Sequence, residues 1–227
     1  MGLLTPTAIQ SATVQTPRAH ENSQRVKHLS RLSDVFAGLS FLSWSVLGLA
    51  HTAPESRFSA VRISIALVNL LVGVLFLLRS RPRHLGRAGD LAAALPSFLA
   101  GGLALSLSAA PVNWSVLANM LFCVGAAITM WSLASLGRLF AIFPAASTTI
   151  VRGPYKFLRH PAYFGELMMI IACLAAQPSW PLAGVVVLGM AAMVWRIATE
   201  ERLLRRYAPS YGEYARRVRW RLLPGVW

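Results

Sequence analysis

Six long runs of apolar residues, separated by short polar stretches, constrain the fold of this chain more than any other feature. A helix needs about 20 apolar residues to cross the roughly 30 Å hydrocarbon core of a bilayer. Only 13% of the residues are charged, against roughly 25% in soluble domains, which excludes a water-facing globule. We therefore predict an all-α, polytopic membrane bundle with spans at residues 35–53, 63–78, 91–110, 112–136, 164–176 and 182–198.

The last two predicted spans are short, and the turn between them at residues 177–181 reads QPSWP. Its two prolines cannot continue a helix, so we predict a tight antiparallel hairpin. Because both segments are near the lower length limit for a span, a bundle of five spans is the alternative to six.

The basic residues favour six spans, because 20 of the 22 Lys and Arg then fall on one side of the membrane. Only Arg57 and Arg62 fall on the other side. By the positive-inside rule, both termini and the loop at 138–166 face the cytoplasm. The net charge of +14 is then a consequence of topology, aided by anionic lipid headgroups, and we expect no nucleic-acid partner.

The sequence divides into three parts. Residues 1–33 are expected to form a disordered tail that leads into a basic interfacial segment, residues 34–136 a four-helix transmembrane region, and residues 137–227 the functional core with an interfacial tail. Cys123 and Cys173 each stand alone in an apolar run, so neither a disulfide nor a metal site is indicated. No glycine-rich nucleotide-binding motif is present.

The polar loop at 138–166 is the first candidate site, because polar groups at the mouth of a membrane bundle are costly unless they bind something. Pro161 suits the first position of a helix, which predicts His160 at the N-terminal boundary of the fifth span. Tyr163 and Glu166 then share one face of the first turns, near exposed N–H groups that suit an anion. A simple capping role for His160 and Glu166 is the alternative.

The end of the sixth span carries a second polar group, Arg196, Glu200 and Glu201. Arg196 and Glu200 are four residues apart and share a helical face, so they can form an ion pair. Arg196 also follows an almost unbroken apolar run, where a cation needs a partner or a substrate anion. Two carboxylates beside one cation make a good receptor for a zwitterion.

The compound pattern RGPYKFLRHPAYFGE, a hairpin, WRxxxEExxL and a basic tail ending in RLLPGVW resembles the isoprenylcysteine carboxyl methyltransferase family and its phospholipid methyltransferase relatives. The resemblance covers about residues 136–227. It implies an integral membrane methyltransferase that uses S-adenosylmethionine in a pocket reached from the cytoplasm, with a lipophilic acceptor. Where eukaryotic members carry His and Gln, this chain has Ser147 and Phe140, a departure that concerns the prenylcysteine acceptor more than the cofactor.

The resemblance also implies roles for individual residues. It assigns Arg196 to the acceptor, and we add Glu201 or Glu166 as the proton acceptor if the methylated group is an amine, while a carboxylate acceptor would be oriented by Arg196. Two other function classes stay open, a sterol-type membrane reductase and a non-enzymatic transport or assembly protein. The residues that the resemblance assigns to cofactor binding are Thr148, Thr149, Ile150, Tyr155, His160, Pro161, Ala162, Tyr163 and Glu200.

Overall fold

The computed structural model describes residues 17–51, 54, 58–80, 84–85, 95–108, 113–140, 145–146 and 149–227. Within these ranges the chain forms a helical membrane bundle, with one short antiparallel pair of strands between β1 (His84–Leu85) and β2 (Ala145–Ala146). The helices are α1 (Pro17–Ala50), α2 (Ala60–Leu78), α3 (Leu95–Leu107), α4 (Val116–Leu136), α5 (Pro161–Ala176), α6 (Trp180–Tyr207) and α7 (Tyr211–Arg217).

Each of the six predicted apolar segments overlaps one of the helices α1 to α6, as the pattern indicates. Among the described residues, four helical segments are long and apolar enough to cross a bilayer alone: Arg31–Ala50, Ala60–Leu78, Val116–Leu139 and Trp180–Tyr207. The helices α3 and α5, with 13 and 16 residues, are shorter. At 1.5 Å per residue these two extend only about 20 and 24 Å.

The apolar pattern predicted a short sixth helix, and this prediction is wrong. The helix runs for 28 residues, because the residues that follow the apolar run, such as Glu200, Glu201 and Arg202, are good helix formers and continue the helix beyond it. The expected tight turn before it is confirmed, with Pro181 in the first turn of α6. This extension carries Glu200 and Glu201 of the second polar group.

The helix boundaries follow capping rules. The Ser59 hydroxyl accepts a hydrogen bond from the Arg62 N–H at the start of α2, and the Ser115 hydroxyl does the same for Ala118 in α4. Pro161 is the first residue of α5 and His160 is its N-terminal boundary, as predicted.

Two of the described basic residues, Arg79 after α2 and Arg138 after α4, lie at the same end of the bundle, which we call the basic end. There the Ser80 N–H, just after α2, donates to the Arg138 carbonyl after α4. Arg79 forms an ion pair with Asp34, which joins the end of α2 to α1. Nearby, Phe76 packs edge-on against Phe140 at 5.5 Å between ring centroids. These contacts hold the ends of three elements around the polar loop.

Helices α4 and α5 pack closely because glycines face each other across them. A Cβ atom on Gly125 would lie 2.7 Å from the Gly165 carbonyl oxygen, so a larger residue there would force the helices apart. The Thr129 hydroxyl reaches the Ala162 carbonyl at 3.4 Å. This packing fixes the first turns of α5 against α4.

The C-terminal segment folds back onto the start of α5. The backbone N–H groups of Arg159 and His160 donate to the carbonyls of Trp220 and Arg221. Tyr211 and Tyr214 of α7 are buried in a small apolar cluster beneath this segment. Residues 17–33, expected to contain the basic interfacial segment, form the first part of α1, and the tail expected to be disordered at residues 1–16 lies outside the described residues.

Candidate active site

A cavity of about 380 Å³ runs from the basic end into the interior of the bundle. Its polar end holds charged and aromatic side chains of the loop, α5 and α6. The remainder is lined by apolar side chains of α1 to α5, with few polar groups. The polar end is lined by Tyr155, Arg159, His160, Tyr163, Glu166, Arg196 and Glu200.

The RGPY sequence forms a tight turn that brings Tyr155 to this cavity. Gly153 has φ of +59°, a conformation that L side chains rarely adopt, which explains the need for glycine. The Tyr155 side chain is buried, and the Tyr214 hydroxyl donates to its carbonyl at 2.8 Å. Burial, assisted by the charge of Glu200, raises the pKa of Tyr155, so that its phenol stays neutral.

His160 lies between the two carboxylates of α6. Its Nδ1 is 3.9 Å from Glu200 Oε2, and its Nε2 is 3.5 Å from Glu201 Oε1. The imidazole also stacks on the Tyr163 ring at 5.5 Å between centroids, with the planes 8° apart. Three kinds of contact therefore hold His160 in place: the backbone hydrogen bond to Arg221, the stacking on Tyr163 and the two carboxylates.

Tyr163 connects the remaining charged groups of the polar end. Its hydroxyl donates to Glu200 Oε2 at 2.7 Å. The Arg196 guanidinium lies 4.7 Å from the centre of the Tyr163 ring, a cation–π distance. Arg196 is only 3% exposed, so the packed ring replaces much of the hydration that this cation loses. Arg196 and Glu200 thus meet at one aromatic side chain on α5.

Glu166 lies one turn beyond Tyr163 on α5 and also lines the cavity. Together with Glu200 it gives the polar end two carboxylates close to the Arg196 cation. The sequence analysis had placed Glu200 and Glu201 beside this cation, whereas in the structure the second carboxylate that lines the cavity is Glu166.

Glu201 occupies a different environment from Glu200. It is 5% exposed and is absent from the described residues that line the cavity. Its Oε1 is 3.0 Å from the Arg159 guanidinium, and its Oε2 is 3.3 Å from Arg221 and 3.6 Å from Arg205. Glu201, predicted to be catalytic, therefore lies behind the cavity wall, where it ties α6 to the loop and the C-terminal segment.

The structure brings only part of the predicted cofactor set to the cavity. Tyr155, His160, Ala162, Tyr163 and Glu200 line it, as does the predicted acceptor residue Arg196. The other predicted residues lie elsewhere. Thr149 accepts a hydrogen bond from Ser210 at 3.0 Å, Pro161 is fully buried as the first residue of α5, Ile150 is not among the lining residues, and Thr148 lies outside the described residues.

The lining residues that were not singled out from the sequence as members of the site include Arg159, Phe140 and Thr129. Arg159 directly precedes His160, so the RHPAY motif could have indicated that it belongs to the site. Phe140 appeared only as a departure from the family pattern, and Thr129 lies inside an apolar helix. Phe140 and Thr129 line the cavity because of how α4 packs against α5, which the sequence does not show.

The part of the chain that matches known proteins includes the region in which the site was predicted. Residues 117–206 match the sequence model of the isoprenylcysteine carboxyl methyltransferase (ICMT) family. The chain is 37% identical over 92 residues to the cobalt-zinc-cadmium resistance protein CzcN of Cupriavidus metallidurans. It is 36% identical over 92 residues to the nickel-cobalt-cadmium resistance protein NccN of Alcaligenes xylosoxydans xylosoxydans. No solved structure matches the chain.

Each of the two alignments covers 38% of this chain and 43% of the relative, so the chain spans less than half the length of either protein. The resemblance expected from the motifs is confirmed over residues 117–206, which include every residue of the polar end of the cavity. The match supports a membrane methyltransferase.

Proposed function

We propose that this chain is an integral membrane methyltransferase that transfers a methyl group from S-adenosylmethionine to a lipophilic acceptor. One observation carries the proposal: Glu200 and Arg196 converge on Tyr163 at the polar end of a cavity that is otherwise apolar. Such a cavity suits a polar cofactor at one end and an apolar acceptor at the other. The family match over the same residues supports this assignment.

The polar end fits the cofactor chemically. S-adenosylmethionine combines a sulfonium cation, an amino-acid zwitterion and an adenosine. Glu200 would bind its hydroxyl or ammonium groups, and the stacked rings of His160 and Tyr163 offer a flat surface. The N–H groups of Ala162 and Tyr163 in the first turn of α5 suit its carboxylate. The cavity volume of about 380 Å³ is within the range of about 300–1,000 Å³ that small-molecule sites occupy.

The residues beyond Tyr163 would position the acceptor. If the acceptor is a carboxylate, Arg196 would orient it by charge-assisted hydrogen bonds. If it is an amine, a nearby carboxylate must take its proton. Glu166 is better placed for this than Glu201, because Glu166 lines the cavity and Glu201 faces Arg159, Arg205 and Arg221 behind it.

Bound S-adenosylmethionine would supply a methyl group already activated by its positive sulfur. Glu200, His160 and Tyr163 would hold the cofactor at the polar end, where it would donate the methyl group to an acceptor oxygen or nitrogen and leave as neutral S-adenosylhomocysteine. The chain then needs only to hold the acceptor in line, exclude water and stabilise charge. The apolar walls of the cavity exclude water, and Arg196 with Glu166 supplies the charges.

We also propose that the basic end and this site face the cytoplasm, where S-adenosylmethionine is available. The side-to-side asymmetry of basic residues supports this orientation. The acceptor tail would then enter sideways from the bilayer, between helices that line the apolar part of the cavity.

The proposal is tested by incubating purified protein in detergent with methyl-labelled S-adenosylmethionine and fractionated membrane lipids. We expect label in one lipophilic fraction, and none with Glu200→Gln. Alkaline hydrolysis then identifies the acceptor, because a methyl ester releases labelled methanol and an N-methyl group does not. Absence of transfer to every fraction, with reduction of a sterol by added nicotinamide cofactor, would favour the reductase instead.

A further inference from the structure

The apolar part of the cavity contains a polar amide side chain that forms no hydrogen bond with any residue the structure describes. Asn69 lies at the middle of α2 and lines the cavity wall. Its amide makes no hydrogen bond to any other residue that the structure describes. An amide carries two donors and an acceptor, and leaving them unused within the bilayer is unfavourable.

Three other polar side chains of the described spans, Asn119, Ser45 and Thr129, form hydrogen bonds within the protein. Asn119, on α4 and outside the cavity wall, donates to the carbonyls of Trp114 and Ser115, both at 3.1 Å. Ser45 donates to the Ala66 carbonyl at 2.7 Å. Thr129, which does line the cavity, donates to the Ala162 carbonyl. Asn69 differs from these because its side chain faces the cavity rather than a carbonyl.

The depth of Asn69 relates it to the reactive end. Nine residues separate it from the end of α2 at Leu78, or about 14 Å at 1.5 Å per residue. Glu166 is five residues into α5 from the same end of the bundle, or about 8 Å. The two helices do not end at the same level, because Ala162 at the start of α5 already packs in a cluster with Val72 and Phe76 of α2. Asn69 therefore lies at a depth near that of Glu166, and both line the cavity.

We propose that Asn69 selects the acceptor by hydrogen-bonding an uncharged polar group, such as a hydroxyl, carbonyl or amide, within the acceptor's apolar body. The proposal rests on the methyltransferase function stated above. It narrows the acceptor from any lipophilic molecule to one that carries a second, uncharged polar group besides the methylated one. A site built to hydrogen-bond such a group disfavours the plain hydrocarbon, because its amide then stays unpaired.

Binding of paired lipid probes tests this inference without requiring methyl transfer. The probes are stearic acid and its 6-, 9- and 12-hydroxy derivatives, which compete with a fluorescent fatty acid for the purified protein in detergent. We expect at least one hydroxy derivative to bind about three-fold to ten-fold more tightly than stearic acid. In Asn69→Leu this preference should vanish while stearic acid still binds. In the matched control Asn119→Leu it should remain.

A second measurement separates ligand selection from a structural role. Without ligand, Asn69→Leu should melt at or above the wild-type temperature, because it removes an unpaired amide, while Asn119→Leu should melt lower. S-adenosylhomocysteine binding, measured on the same samples, should be equal in wild type and Asn69→Leu. If wild type did not bind S-adenosylhomocysteine, the proposed cofactor would be refuted, but the comparison of the lipid probes would stay valid. Equal affinity for all four probes, or a melting temperature lowered by Asn69→Leu, would overturn the role of Asn69.

Discussion

The Tyr163 hydroxyl lies 2.7 Å from Glu200 Oε2, a hydrogen bond between residues 37 positions apart that joins the first turn of α5 to the end of α6. The same ring carries the Arg196 guanidinium on its face. One aromatic side chain therefore holds both the carboxylate assigned to the cofactor and the cation assigned to the acceptor. The predictions below test these assignments separately.

Tyr163→Phe removes the hydrogen bond to Glu200 and keeps the ring that Arg196 contacts. Glu200 then loses its fixed orientation, and we expect about three-fold to ten-fold weaker binding of S-adenosylhomocysteine, the loss of roughly one hydrogen bond. Titration calorimetry in detergent measures this directly. The control is Tyr207→Phe, on α6 outside the cavity, which should bind normally. An unchanged affinity in Tyr163→Phe would mean that the hydroxyl does not position Glu200 for the cofactor.

Arg196→Lys keeps the charge and loses the planar group that lies over the Tyr163 ring. Two-point positioning of an acceptor should not tolerate this change. We expect near-normal S-adenosylhomocysteine affinity but a turnover at least ten-fold slower, with the loss in the methyl-transfer step. The exposed Arg202 on the same helix gives the matched control, Arg202→Lys. Near-native turnover by Arg196→Lys would leave Arg196 as a structural cation.

Much of the site's framework could be predicted from the sequence, because local rules determine it. The start of α5 at Pro161, with His160 at its boundary, follows from the backbone preferences of proline. The common face of Tyr163 and Glu166 follows from helical spacing. The apolar pattern located six helices, since each must bury its backbone hydrogen bonds within the bilayer.

The roles of Glu200 and Glu201 could not be separated by sequence, because they depend on distant segments. Glu201 pairs with Arg159, 42 positions away, and with Arg221, 20 positions away. Adjacent residues on a helix point in directions about 100° apart, and nothing local indicates which one faces the cavity. The apolar pattern likewise placed the end of α6 too early, because the helix continues past the membrane into polar residues.

Glu201→Gln tests whether this carboxylate is structural or catalytic. Neutralising it leaves the Arg159 cation, which is mostly buried, without its partner, and breaking such a pair costs about 3 kcal/mol or more. We expect a clearly lower melting temperature in detergent. Glu213→Gln, which removes an exposed pair with Arg217, should melt like wild type. A Glu201→Gln protein that melts normally but transfers no methyl groups would restore the catalytic role predicted from the sequence.

Cysteine labelling tests the topology. In a background without Cys123 and Cys173, single cysteines replace Ser80, just after α2, or Ser179, in the turn before α6. The distribution of basic residues predicts that a membrane-impermeant maleimide labels them from opposite sides of sealed vesicles. Labelling of both from the same side would contradict the six-span arrangement.

The most direct measurement of the central claim is calorimetric titration of S-adenosylhomocysteine into wild-type protein, Glu200→Gln and Glu213→Gln. Glu200 lines the cavity, whereas Glu213 is exposed on α7. Losing a charge-assisted hydrogen bond costs about 1.5 to 3 kcal/mol, so the account predicts binding by wild type and Glu213→Gln and a ten-fold to hundred-fold weaker affinity for Glu200→Gln. No binding to wild type, or equal binding by all three proteins, would contradict a cofactor site at Glu200.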